Sequence, residues 1–215
     1  VPDVAPPPCV DTGRITFGCL ASQYKITDGV IAAWSRILDR TPGSVLLLKN
    51  ARLGSAGNRA FFMARLGAHG IPADRIILEG PSDHYRFLEA YARVDLALDT
   101  FPYNGGTTTT EALWQGVPVL TFRGDRWASR TSASILDAAG LGEYVAEDLA
   151  GCIELAVRLA NAPGIGSILA ERRRGMRRRL QDSPVCDTRN FARSMERIYT
   201  EIRRRPGRET RLATP

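Results

Sequence analysis

The chain has 215 residues, of which 44% are hydrophobic and 24% charged, with a net charge of +6. That length supports one sizeable α/β domain, and the composition excludes the disordered and fibrous classes. No apolar run reaches the ~18–20 residues of a membrane helix, and the start lacks the basic and apolar regions of a signal peptide.

Residues 1–12 read as a Pro-rich extended lead-in, because proline fixes φ and removes a donor. Ile15 to Leu20 is a short apolar run suited to a buried strand. Thr27 then caps a helix whose Val30, Trp34, Ile37 and Leu38 recur at helical spacing, ending near Pro42-Gly43. Val45 to Leu48 is the second strand, and a helix from Asn58 to His69 follows, with Gly70 as its stop. Arg75 to Leu78 is the third strand and Asp83 to Arg93 the third helix. Asp95 to Leu98 is a fourth strand, Thr107 to Gln115 a helix and Val117 to Thr121 a fifth strand. A helix from Ser129 to Ala139 and a short strand from Glu143 to Val145 complete the alternation. From about residue 148 the strands stop. Three helical stretches follow, broken at Pro163-Gly164 and Ser183-Pro184, with the last over 188–205 and a disordered tail expected over 206–215.

Short continuous apolar strands alternating with helices predict a Rossmann-like parallel sheet covered by helices on both faces. The domain is expected to span 13–205, its last part being the helical extension. From Glu171 onward 14 arginines stand against six acidic residues, so the basicity belongs to the C-terminal stretch. Interspersed glutamates and few aromatics favour a solvated helical face there over nucleic-acid binding. The four cysteines are far apart and show no C-x-x-C spacing, which points to reduced thiols in a cytoplasmic protein. The chain begins at Val1 rather than Met, so it is expected to be part of a longer protein.

In such sheets ligands bind outside the carboxyl ends of the strands, where loops run into helix N-termini. The run Tyr103 to Glu111 occupies that place. Asn104, Gly105 and Gly106 let the backbone come close to a ligand. The first N–H groups of the helix, with the hydroxyls of Thr107, Thr108 and Thr109, make a candidate phosphate site. Four adjacent β-branched threonines are poor helix formers, so helix stability does not explain them. Glu111, one turn in, is placed to accept from ribose hydroxyls. The ordinary alternative is an N-cap with a polar first turn. A second candidate is Ser22, Gln23 and Lys25 after the first strand, where Lys25 can reach a diphosphate if strands one and four are neighbours; the alternative is a solvated lysine. His84 lies after the third strand and can face the ligand, whereas His69 fits a surface role at a helix end. There is no G-x-G-x-x-G or P-loop motif, no Asp-x-Asp metal pair and no hydrolytic triad.

These residues, in this order, resemble the C-terminal catalytic lobe of the peptide O-linked N-acetylglucosamine transferase family, which includes Spindly-type O-fucosyltransferases and bacterial homologues with tetratricopeptide repeats. The resemblance runs from about Ile15 to Tyr199. It rests on Tyr24-Lys25-Ile26, on Leu98-Asp99-Thr100 followed by Asn104-Gly105 and the threonine run, and on Leu113-Trp114-x-Gly116-x-Pro118. It continues through Ala128-Ser129-Arg130, Ser183-Pro184 and the helix around Met195 to Tyr199.

The resemblance implies a GT-B fold, no metal, and a nucleotide sugar held mainly by this lobe. Lys25 stands where the family's lysine contacts the diphosphate and assists nucleotide departure, Thr107 and Thr108 where hydroxyls meet the phosphates, and Glu111 where an acidic residue binds ribose. Gly80 to Phe87 resembles the loop around the base, with Phe87 in place of a stacking histidine. Ser22 falls where the mammalian enzymes carry glutamine, with Gln23 adjacent. Gly106 replaces a histidine of those enzymes. The expected donor is a UDP-sugar, UDP-GlcNAc or UDP-Glc, with GDP-fucose as runner-up. The expected acceptor is a protein Ser/Thr hydroxyl, reached by direct displacement with inversion. Nothing in the chain resembles the N-terminal catalytic lobe or the repeat domain, so this piece alone is expected to be inactive. A non-catalytic nucleotide-sugar-binding module and an Arg-rich nucleic-acid binder are the other readings.

Overall fold

The computed structural model describes residues 1–204; the expectation of a disordered tail lies outside the described residues. Six strands form one parallel sheet: β1 (Thr16–Cys19), β2 (Val45–Lys49), β3 (Ile76–Glu79), β4 (Leu96–Leu98), β5 (Val119–Phe122) and β6 (Val145–Ala146). Their order across the sheet is β3-β2-β1-β4-β5-β6. Registers such as Phe17 on Leu46 and Phe17 on Leu96 put β1 between β2 and β4, as the sequence reading required for Lys25. Every residue of β1 and β2 is buried. Successive side chains of a strand point to opposite faces, so both faces of the sheet are covered. Gly18 in β1 is set by packing, since a Cβ there would lie 2.4 Å from a methyl of Val94.

Among the described residues the α-helices are α1 (Cys9–Thr12), α2 (Asp28–Asp39), α3 (Ala56–Ala68), α4 (His84–Glu89), α5 (Thr107–Trp114), α6 (Thr131–Ala138), α7 (Leu149–Ala160), α8 (Ile165–Gln181) and α9 (Thr188–Arg204). Thr27 caps α2 as expected, accepting from Val30 N at 3.3 Å, and the helix buries Val30, Trp34, Ile37 and Leu38. The helix expected over 83–93 is shorter: α4 gives way to a 3-10 turn at Ala90–Arg93, which tucks Tyr91 into the core. The last strand is displaced to Val145–Ala146, because a 3-10 turn over Gly142–Tyr144 buries the Tyr144 ring. No single helix among the described residues is long and apolar enough to cross a membrane.

Two expectations about the ends need correction. The Pro-rich lead-in is not extended throughout 1–12, since Cys9–Thr12 form α1, and it packs on the domain, with Pro2, Pro7 and Cys9 buried. The arginines of α8 are not simply a solvated face. Arg173 is 1% exposed and its guanidinium donates to Val94 O and to Ala5 O and Pro6 O. Arg177 donates to Trp114 O and Pro2 O, both at 2.7 Å. Burial lowers the Arg173 pKa to about 10, against the pull of Asp95 and Cys9. Here α8 straps the lead-in to the sheet through carbonyl groups that would otherwise lack donors.

Candidate functional site

The carboxyl ends of β1 and β4 lie side by side where the chain order reverses, the usual ligand position in such sheets. From β1 the chain enters a 3-10 turn over Gln23–Lys25. The Lys25 Nζ donates to Asn104 O at 2.7 Å and lies 3.9 Å from the centroid of the Tyr103 ring. From β4 the chain enters a loop that Asp99 organises. Its carboxylate accepts from Thr100 N at 2.8 Å, Gly105 N at 2.8 Å and Thr121 Oγ1 at 2.7 Å. Burial raises the Asp99 pKa, opposed by the bonds from Gly105, Thr121, Ser132 and Thr100.

The loop ends on Gly106, the N-cap of α5, and no side chain caps the helix. Its first N–H groups therefore face the open end of the sheet with their partial positive charge uncommitted. Gly105 is required by close approach: a Cβ there would meet Thr109 Oγ1 at 2.4 Å and Thr108 Oγ1 at 2.9 Å. Gly106 has room, since only a methyl of Thr131 at 3.7 Å would be near.

The threonine run divides. Thr107 is exposed and Thr108 half-buried at the open end, and neither hydroxyl bonds to another described residue. Thr109 is 2% exposed, and its Oγ1 pairs with Ser132 Oγ at 2.8 Å. Thr109 is thus a strut between α5 and α6 rather than a free phosphate ligand. Asn104 is likewise turned inward, its Nδ2 donating to Thr100 O at 2.7 Å, and only its carbonyl faces Lys25.

On the far side of α5 the predicted base and ribose residues converge. Asp83 caps α4. The ring of His84 runs nearly parallel to that of Phe87, with centroids 6.4 Å apart, and its Nε2 is 3.9 Å from Glu111 Oε1. Burial raises the Glu111 pKa, while His84 opposes the shift. Phe87 packs on the edge of Tyr91, whose hydroxyl donates to Thr108 O at 3.0 Å. This hydrogen bond ties the Phe87–Tyr91 ring pair to the first turn of α5.

Ser22 and Gln23 stand apart from this group. They line a cavity of about 670 Å³ on the β2 side, with Asn50, Arg52 and Arg65 among its walls. Three contributors escaped the sequence reading: Asp99, Tyr91 and Ser132. Only Asp99 had a signal, its place in the Leu98-Asp99-Thr100 run; the other two join the site through contacts distant in sequence.

The model of glycosyl transferase family 41 matches residues 10–195. The chain is 36% identical over 203 residues to the barley (Hordeum vulgare) protein described as "Probable UDP-N-acetylglucosamine--peptide N-acetylglucosaminyltransferase SPINDLY", covering 93% of this chain and 21% of that protein. It is 31% identical over 191 residues to the SEC protein of Arabidopsis thaliana, which bears the corresponding description, covering 88% of this chain and 19% of that one. The chain thus spans about a fifth of the length of the curated relatives it matches. Among solved structures, a mutant of Thermobaculum terrenum O-GlcNAc transferase superposes with a TM-score of 0.79 at 34% identity, covering 87% of this chain and 35% of that one. The C-terminal domain of a group 1 glycosyl transferase from Francisella tularensis shares the fold, with a TM-score of 0.56 at 15% identity over 82% of this chain and 96% of that one.

Proposed function

Because the chain belongs to glycosyl transferase family 41, we propose that it is the nucleotide-sugar-binding lobe of a protein glycosyltransferase, one half of a GT-B cleft. The observation that carries this reading is the placement of the Lys25 ammonium on the Asn104 carbonyl, beside the glycine pair and the uncapped start of α5. A diphosphate there would meet a positive side chain, free N–H groups and the hydroxyls of Thr107 and Thr108 together. These are groups whose attraction grows as charge builds on the departing nucleotide, so they lower the barrier rather than merely binding the donor. Glu111 would accept from the ribose, and Phe87 with His84 would flank the base. In this reading Lys25 and the helix terminus do what a metal does elsewhere. Displacement at the anomeric carbon would be direct, with inversion.

The donor is taken as UDP-linked, with N-acetylglucosamine as its sugar, in keeping with the descriptions of the barley and Arabidopsis relatives. The acceptor would be a protein Ser/Thr hydroxyl, presented by the N-terminal lobe and repeat domain of a longer protein. All four cysteines are free thiols, which suits a reducing cytoplasm. The test is calorimetric titration with UDP and GDP. Lys25→Ala and Thr108→Ala should each weaken nucleotide binding with the fold intact; unchanged affinity for UDP and GDP in the Lys25 variant would sink the site assignment.

A further inference from the structure

The Lys25 ammonium has only neutral company. Asn104 O accepts one of its protons at 2.7 Å and the Tyr103 ring lies under it at 3.9 Å, with no carboxylate paired to it among the described residues. A lysine held by a carboxylate would reach a phosphate with its charge already cancelled, and that ion pair would have to break first. A carbonyl and a ring face hold the ammonium while leaving its positive charge uncompensated. Holding matters because a four-carbon stem in a solvated turn otherwise samples many rotamers.

The backbone beneath the ring is itself pinned. Thr100 Oγ1 donates to Tyr103 O at 2.7 Å, Asn104 N donates to Ala128 O at 2.9 Å, and Asp99 holds Gly105 N. Yet Tyr103 is 47% exposed, and its aromatic neighbour Tyr24, tilted at 6.2 Å, is 72% exposed. Core packing therefore does not account for an aromatic residue at this position.

We propose that Tyr103 is a positioning residue: its ring face holds the Lys25 ammonium, charge intact, over the Asn104–Gly106 turn where the donor diphosphate departs. The inference rests on the reading of Lys25 and α5 as a diphosphate site. It requires that the effect of Tyr103 be felt at the phosphates and not at the base, and that it come from the ring and not the hydroxyl.

The experiment compares the 215-residue chain with its Tyr103→Leu, Tyr103→Phe and Lys25→Ala variants. UDP affinity is read by calorimetry, uridine affinity by ligand-observed NMR, and folding by thermal melting. Tyr103→Leu should weaken UDP about two- to fivefold, the worth of one exposed cation–π contact. Tyr103→Phe should stay within about twofold of the parent for the same reason, and uridine should bind all the variants alike. Equal UDP affinity in the Leu and Phe variants, or parallel losses for UDP and uridine in the Leu variant, would overturn the proposal. Lys25→Ala separates the two levels. If it leaves UDP affinity unchanged, the diphosphate reading itself fails. If it weakens UDP while Tyr103→Leu does not, only the role of Tyr103 falls.

Discussion

At Gly105 a single methyl group is enough to disturb the site. An alanine Cβ would stand 2.4 Å from Thr109 Oγ1 and 2.9 Å from Thr108 Oγ1, one a strut to Ser132 and the other at the open end of α5. Either α5 shifts or both hydroxyls rotate away. Gly105→Ala is therefore expected to cost about 1–3 kcal/mol of stability in urea unfolding, the usual range for overpacking, and to weaken nucleotide binding. Gly106→Ala, whose Cβ would have no protein neighbour nearer than 3.7 Å, should not overpack in this way. Glu111 supports a pH prediction. Burial raises its pKa, so it takes up its proton at a higher pH than an ordinary carboxyl. If the ionised form accepts from the ribose, affinity for the nucleotide sugar should fall on acidification, beginning above the normal carboxylate range. The Glu111→Gln variant should show weaker binding and lack that pH dependence; an identical acid profile in both proteins would remove Glu111 from the site.

At the scale of elements, α5 and α8 show how little local preference decides. Four threonines open α5 although β-branched residues disfavour helix, and packing against β5, α6 and α8 keeps it in place. The arginine-rich α8 looks like a solvent-facing helix on composition, yet Arg173 is buried and reaches three backbone carbonyls. Truncating this side chain to a methyl group would leave those carbonyls without their donor and open a cavity. Arg173→Ala is expected to cost about 3 kcal/mol or more in denaturant unfolding. A loss below about 0.5 kcal/mol, typical of a surface change, would show that the strap adds nothing to stability. By contrast α9 has no buried residue, and Phe191, Ile198, Tyr199 and Ile202 are exposed along it.

For the molecule as a whole, a ligand bound only by the folded state raises stability by mass action. UDP at a hundred times its Kd should add about 2.7 kcal/mol, a rise of roughly 5–10 °C in Tm for a chain of this size. A rise with GDP in place of UDP would reassign the base. Much of the architecture was legible beforehand. Thr27 as a cap, the apolar runs of β1, β2 and β5 and the stop at Gly70 are local signals, written within a few residues of the elements they define. The candidate site was half legible: Lys25, Thr107, Thr108 and Glu111 stand out by residue type at strand ends and helix starts.

What the amino-acid order determined by itself was therefore the alternation of strand and helix and the chemical kinds of group at the carboxyl ends of the strands. Periodicity, caps and glycines act over short range, and they need no knowledge of the fold. What only the tertiary structure decided was which of those groups stand together. The β1–β4 adjacency brings Lys25 to a carbonyl 79 positions away. The turn at Asp99 points Thr109 and the Asn104 side chain inward and leaves Thr107 and Thr108 outside. Those outcomes follow from close packing between segments distant in sequence, which no local pattern encodes.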